Sequence, residues 1–332
     1  MNSPFDPGKA YALSIGIGNR EVDSPAMATS ANDARRIGKE LVGRAKFMPE
    51  KVQTLINADA SVSNVLKELD KIADITESAP ADMVIIYFSG HGCVKNDIYY
   101  IVCRDTVNSD VEHTAIKGSV FVEKLKAIRT DKMLIFLDCC HSGGMYDPID
   151  IPFDEADVLK MKNRVIISAS KPDKVSYLSK PLSIFTYALV EGLAGKFFSG
   201  NDTDVTLFDL AMYLRERVVP LSENKQQPQL NILRDSFTSD FVIARYPNGQ
   251  PRPAAFDEDF SLLTNEGKDI NTNIETVKDE EFRKEFSWMV NVSGNNNTVV
   301  GVNNGTITTE NTVQNAEKIV NMGDVSGSTF NF

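Results

Sequence analysis

Basic side chains are in short supply in this 332-residue chain. Thirty-five lysines and arginines stand against 46 aspartates and glutamates, leaving a formal charge of −11 and a pI near 4.9. A phosphate backbone is bound through a basic footprint, so this balance argues against nucleic acid as the main partner. It is compatible with cationic peptide substrates. Cysteine is also sparse: four residues, at 93, 103, 139 and 140. Their spacing fits neither a disulfide framework nor the paired CxxC ligands of a structural zinc site. No apolar run is long enough to cross a bilayer, so no membrane association is expected. Met1 to Gly18 lacks a basic stretch followed by an apolar core. No signal peptide is therefore expected, and the cytosol is the expected location.

What is present is the raw material of a large core. Hydrophobic residues make up 42% and charged residues 24%, ordinary values for a globular chain. Residues 10–17 and Val52–Ile56 read as strands. Met83–Phe88 (MVIIYF), Met133–Leu137 (MLIFL) and Val165–Ser168 read as buried strands, and Tyr99–Cys103 as a further one. Apolar residues recur at helical intervals in Ala31–Val42, Val62–Ile75, Val120–Ile128, Ser183–Leu193 and Leu207–Val218. Strands that are apolar on both faces and alternate with helices predict an α/β fold, a mostly parallel sheet sandwiched by helices. Ligands of such sheets bind beyond the carboxyl ends of the strands.

Two of those ends carry chemistry. MVIIYF runs into Ser89-Gly90-His91-Gly92, and MLIFL into Asp138-Cys139-Cys140-His141-Ser142-Gly143-Gly144. A thiol nucleophile needs a nearby imidazole and backbone N–H groups for an oxyanion. Two neighbouring strand ends can supply all three. Alternation along an extended strand puts Asp138 and Cys140 on one side and Cys139 on the other. Cys140 is thus the candidate nucleophile, and Cys139 a core thiol. Of the three histidines, His91 follows an apolar strand between glycines and is the candidate acid–base group. His141 adjoins the cysteine and diverges from it, which suits a structural role. His113 lies in a polar stretch and reads as surface. A zinc site built from His91, Cys93, Cys139, Cys140 and His141 is disfavoured, because adjacent Cys-Cys-His spacing suits one tetrahedral ion poorly. No metal and no cofactor are expected.

These segments resemble the caspase-like cysteine peptidases, more closely the metacaspase and prokaryotic caspase-homologue branch. The resemblance rests on Leu13–Gly18 with Ala31-Asn32-Asp33-Ala34, on SGHG at 89–92, on DCCHSG at 138–143, and on Ser168-Ala169-Ser170 with Phe185-Thr186-Tyr187-Ala188-Leu189. The interval from His91 to Cys140 is 49 residues, near the ~50 of the caspase clan. The resemblance implies a His91–Cys140 dyad and an oxyanion hole made by the N–H groups of Gly92 and Cys140. It further implies an acidic S1 pocket formed by Asp33 and Asp138, hence cleavage of peptide substrates after Arg or Lys. The alternative roles are a helix N-cap for Asp33 and a carboxylate hydrogen-bonded in the turn for Asp138. Many metacaspases bind calcium through an adjacent Asp pair between the catalytic segments. Here that region reads GSVFVE (118–123), so no tight calcium site of that kind is expected. A loop from Met145 to Asn163 ends with Lys160, Lys162 and Arg164. It is either a self-processing site or a solvated connection.

The peptidase domain is expected over 8–246, a Pro-rich linker with a helix over 247–289, and an Asn/Gly/Thr-rich tail over 290–332. The tail contains two similar pieces, VNVSG and VNMGD, thirty residues apart, and resembles the short amyloid-like signalling motifs of prokaryotic immune effectors. Self-assembly or recruitment through 290–332 is one expectation, and a flexible tail the other. The function expected is an Arg/Lys-specific cysteine endopeptidase in proteolytic signalling or antiviral, defence-linked cell death. A caspase-fold scaffold assembling through its tail is the alternative.

Overall fold

The computed structural model describes residues 5–18, 29–96, 98–141, 162–169, 182–196, 203–233 and 239–246, and three short strands between 290 and 309. For residues 140, 141, 233 and the strands beyond 290 the description is of the backbone. In chain order the chain forms β1 (Ala10–Gly16), α1 (Thr29–Gly43), β2 (Val52–Ile56), α2 (Val62–Ser78), β3 (Met83–Lys95) and β4 (Ile98–Val102). Next come α3 (Val111–Thr114), β5 (Ile116–Lys117), α4 (Gly118–Ala127), β6 (Met133–His141), β7 (Arg164–Ser168) and α5 (Ile184–Leu193). The remainder is β8 (Asp204–Thr206), α6 (Leu207–Leu221), β9 (Gln229–Leu233), β10 (Val242–Arg245), then β11 (Val290–Ser293), β12 (Val300–Asn303) and β13 (Thr306–Thr309).

The main sheet runs β11-β9-β7-β6-β3-β1-β2, with β4 and β5 attached beside β3. From β2 to β7 the pairings are parallel, whereas β9 is antiparallel to β7. Period-two alternation then sorts the side chains into two layers. Met83, Ile85 and Tyr87 of β3 and Leu134 and Phe136 of β6 pack against α1, α5 and α6. Val84, Ile86 and Phe88 with Ile135, Leu137 and Cys139 pack against α2 and α4. Each fully buried Leu, Ile or Phe in these layers contributes roughly 1.5–3 kcal/mol relative to exposure. This is the α/β sandwich expected from the unbroken apolar strands.

Three details position the site. A Cβ added at Gly16 would lie 2.1 Å from the Ser30 carbonyl oxygen, so glycine there lets the start of α1 touch the end of β1. The Ser14 hydroxyl donates to the Ala34 carbonyl at 2.9 Å and fixes the same contact. Asp33 consequently lies inside α1, four residues past its start, and is not an N-cap. Finally, β3 does not end at Ser89-Gly90 as its apolar run suggests. It continues to Lys95, because β4 folds back antiparallel and pairs the backbone from His91 onward.

The local reading also needs correction in the second half. Arg164 belongs to β7 and not to the preceding loop. It is 4% exposed and donates to the carbonyls of Thr130 and Lys162 at 3.1 and 3.0 Å. A buried guanidinium already spent on backbone oxygens is a poor cleavage site. The proposed processing position Lys160 lies outside the described residues, while Lys162 is exposed. Strand β9 (QLNIL) escaped the sequence reading because Gln229 and Asn231 interrupt its apolar pattern. Both are buried on one face, as Leu230 and Ile232 are on the other.

Candidate active site

Strands β3 and β6 are the innermost pair, and their register brings the two strand-end motifs together. Ser89 pairs with Asp138, Gly90 with Cys139, His91 with Cys140 and Gly92 with His141. Adjacent strands lie about 4.8 Å apart, so His91 and position 140 are direct neighbours across the sheet. Positions 138 and 140, with Ser89 and His91, fall on the α1/α5 face. Cys139 falls on the opposite face, where it is buried in the α2/α4 layer. The side chains of Cys140 and His141 lie outside the described residues. Cys139 and Cys93 carry no disulfide. His113 is placed where its polar surroundings suggested, 78% exposed and 2.6 Å from Asp110.

Beneath the dyad positions lies a buried carboxylate pair. Asp33 is 0% and Asp138 3% exposed. They arrive from α1 and β6, and the N-terminus of α5 holds both. Ser183, the N-cap of α5, donates its backbone N–H to Asp33 Oδ1 at 2.9 Å and its hydroxyl to Asp138 Oδ2. The same hydroxyl accepts the Thr186 N–H at 3.0 Å, closing the helix cap. Ser89 Oγ donates to Asp33 Oδ2 at 3.1 Å. Thr186 Oγ1 donates to Asp138 Oδ2 at 3.2 Å and must therefore accept from the Tyr87 hydroxyl, 2.5 Å away. Three hydroxyls, one of them in turn receiving the Tyr87 hydroxyl, and a helix N-terminus thus stabilise negative charge here.

Burial, and then the facing Asp138 carboxylate, hold the Asp33 carboxyl well above the usual carboxylate range, outweighing the hydrogen bonds from Ser183, Ser89 and Thr186. Burial and the facing Asp138 carboxylate thus favour the protonated form of Asp33. The same two carboxylates, after burial, push the Tyr87 phenol up and keep it protonated.

The glycines around His91 have a packing role. A Cβ at Gly92 would meet the Tyr99 hydroxyl at 1.7 Å, and one at Gly90 would press on Phe88 at 3.0 Å. Both glycines make room for aromatic rings behind the site. Tyr99, Ser183, Thr186 and Tyr87 were not assigned roles from the sequence. Only Ser183-x-x-Thr186, a helix-capping pattern, carried a local signal for any of them.

Among the described residues, no group of three or more His, Cys, Asp or Glu side chains could hold a metal ion. No helix among them is long and apolar enough to cross a membrane.

A parallel α/β sheet with a histidine and a cysteine in register on its two innermost strands, above an acidic pair, has the architecture of a caspase-type cysteine peptidase domain. Comparison with known proteins agrees. The caspase domain family profile matches residues 9–238, and the chain belongs to that family. Metacaspase-4 of Arabidopsis thaliana is 32% identical over 150 residues, covering 41% of this chain and 34% of that protein. The match therefore spans about a third of that relative's length. Among solved structures, protein GSU0716 from Geobacter sulfurreducens aligns with a TM-score of 0.46 at 16% identity, over 67% of this chain and 92% of the other. The Drosophila initiator caspase Dronc aligns with a TM-score of 0.45 at 10% identity, over 68% and 80%.

Proposed function

We propose that this caspase-family domain is a cysteine endopeptidase cleaving peptide bonds after Arg or Lys. The observation that supports this most is the register of His91 with Cys140 directly above the Asp33–Asp138 pair. In the proposed reaction the Cys140 thiolate attacks the scissile carbonyl and forms a C–S bond. The N–H groups of Gly92 and Cys140 receive the oxyanion. His91 protonates the leaving amine as the C–N bond breaks, leaving a thioester. His91 then takes a proton from water, whose oxygen displaces the thiolate and releases the new carboxylate. A guanidinium or ammonium at the residue before the scissile bond would displace the proton held by the acidic pair. Such a cation recovers part of the desolvation cost of that pair.

Two fluorogenic peptides differing only in Arg or Asp at the cleavage position test this reading. Turnover of the Arg peptide, exceeding that of the Asp peptide by about 10²-fold or more, is expected from a buried charge pairing. Preference for Asp would reject the acidic S1 pocket while leaving the dyad standing.

For the tail, we propose self-assembly through 290–332. The support is its strand-forming tendency: β12 pairs antiparallel with β13, and β11 pairs in parallel with β9 as the last strand of the main sheet. Exposed edges of that kind invite further strands. Deleting 290–332 should lower the sedimentation coefficient to that of a monomer while peptide cleavage persists. An unchanged coefficient would leave the tail as a flexible extension. A role in proteolytic signalling or antiviral defence is supported by the family resemblance, and a cytoplasmic location by the lack of a recognisable signal peptide in Met1 to Gly18. The scaffold alternative predicts assembly without turnover.

A further inference from the structure

We propose that Tyr99 is a positioning residue for the dyad, bracing both catalytic strands from the face opposite the substrate. The inference rests on the peptidase reading above and goes beyond it, because Tyr99 belongs to neither strand-end motif.

The geometry is specific. Tyr99 stands on β4 opposite Val94 of β3, and its phenol reaches back diagonally over Gly92. A Cβ at Gly92 would lie 1.7 Å from the hydroxyl oxygen, 2.3 Å from Cζ and 2.7 Å from Cε2. The ring edge therefore rests directly on the glycine α-carbon, in space that any other residue would fill. Gly92 follows His91, and alternation turns its back toward the α2/α4 layer, into which Tyr99 packs. The Tyr99 hydroxyl also interacts with the thiol of Cys139, the residue immediately before Cys140. One side chain thus touches both strands, at the position just after the histidine and the position just before the cysteine. Burial, reinforced by the Cys139 and Cys93 thiols, pushes the Tyr99 phenol well up. It therefore stays a neutral hydrogen-bonding group across the physiological range.

The function follows from what the dyad requires. His91 and Cys140 sit on strands whose separation sets the imidazole-to-thiol distance, and the Gly92 N–H must point at the oxyanion. A misplacement of about 1 Å in such an arrangement costs on the order of 10²-fold in rate. A rigid aromatic wedge, tied to both strands, restricts that displacement where no substrate can perturb it. The buried thiol of Cys139 thereby acquires a role as the anchor point of the wedge.

Tyr99→Phe and Tyr99→Ala in the full chain, assayed with the Arg peptide, separate this role from plain stability. Phe keeps the ring but loses the hydroxyl that meets Gly92 and Cys139, so kcat should fall by about 5- to 10-fold, less than for Ala. Ala removes the wedge, and kcat should fall about 10²-fold while KM stays within about 2-fold. Circular dichroism well below the melting temperature establishes that each variant is folded. If the Ala variant does not fold, Tyr99→Leu, which refills part of the volume without a planar ring, is expected to show the same kcat loss. A folded Ala or Leu variant with parental kcat, or with its whole loss in KM, overturns the proposal. An active parent with unaffected variants rejects this inference alone. An inert parent rejects the peptidase reading and this inference with it.

Discussion

Cys140→Ala should abolish cleavage of an Arg peptide, lowering kcat by about 10⁴-fold or more with little change in melting temperature. The size follows from the role: without the thiolate no thioester forms, and the residual rate is what oxyanion stabilisation and binding supply to attack by water. His91→Ala should give a loss of the same order. The double variant should be scarcely worse than either single one, because nucleophile and base act as a unit. Stability is expected to be nearly unaffected, since His91 lies toward the surface at the end of the core and its pairing with position 140 is made by backbone. The measurement is a progress curve at saturating peptide, with a thermal melt for each variant. If parent and Cys140→Ala release product equally, the activity belongs to a contaminant and the scaffold reading takes over.

Asp33→Asn should move activity and stability in opposite directions. Asparagine copies the protonated carboxyl: its carbonyl accepts from the Ser183 N–H, and its amide can donate to Ser89 Oγ. The hydrogen bonds survive while the charge cannot form. Removing half of the pocket charge should cost about 10²–10³-fold in kcat/KM for the Arg peptide, the range for leaving a buried ion without its partner. The ligand-free protein, by contrast, should melt higher at neutral pH, by ~2–4 °C for each kcal/mol of repulsion relieved.

The pH dependence carries the same signature. The folded-state pKa of Asp33 is raised above its unfolded value near 3.8. Its contribution to stability is therefore fully present below about pH 3.8 and is lost as pH rises through the folded-state value. Asp33→Asn should flatten that part of the melting-temperature profile, measured without substrate from pH 4 to 8. A variant that melts lower than the parent across this range would show that the pair is not strained. Asp138→Asn, which keeps an oxygen for Ser183 and Thr186, should reproduce the loss on Arg peptides.

Stability and catalysis thus pull against each other at one location. Ser183, Thr186, Ser89 and Tyr87 surround two carboxylates that the core would be more stable without. Such an arrangement persists where the charge is used. The N-terminus of α5 is well suited to the task, because its orphan N–H groups and dipole favour anions without supplying a competing cation.

Much of this was legible in the chain. The unbroken apolar runs MVIIYF and MLIFL fixed two central strands, and alternation past MLIFL separated Cys140 from Cys139. The structure places Cys139 in the α2/α4 layer. The places where local reading failed are those where a partner overrides local pattern. Strand β3 outlasts its apolar run because β4 supplies hydrogen bonds. Arg164 is drawn into β7 by backbone carbonyls that no sequence window displays. The glycines beside His91 make room for Tyr99 and Phe88, one of them from another strand.

The sequence alone determined which residues could do chemistry and on which side of each strand they lie, because period and turn signals are encoded over a few neighbouring positions. Only the tertiary structure decided who meets whom. Ser183 reaches Asp33 across 150 positions and Ser89 reaches it across 56, and Tyr99 closes over Gly92 from another strand. Those meetings depend on how helices pack on the sheet, a free energy summed over the whole core and written in no single segment.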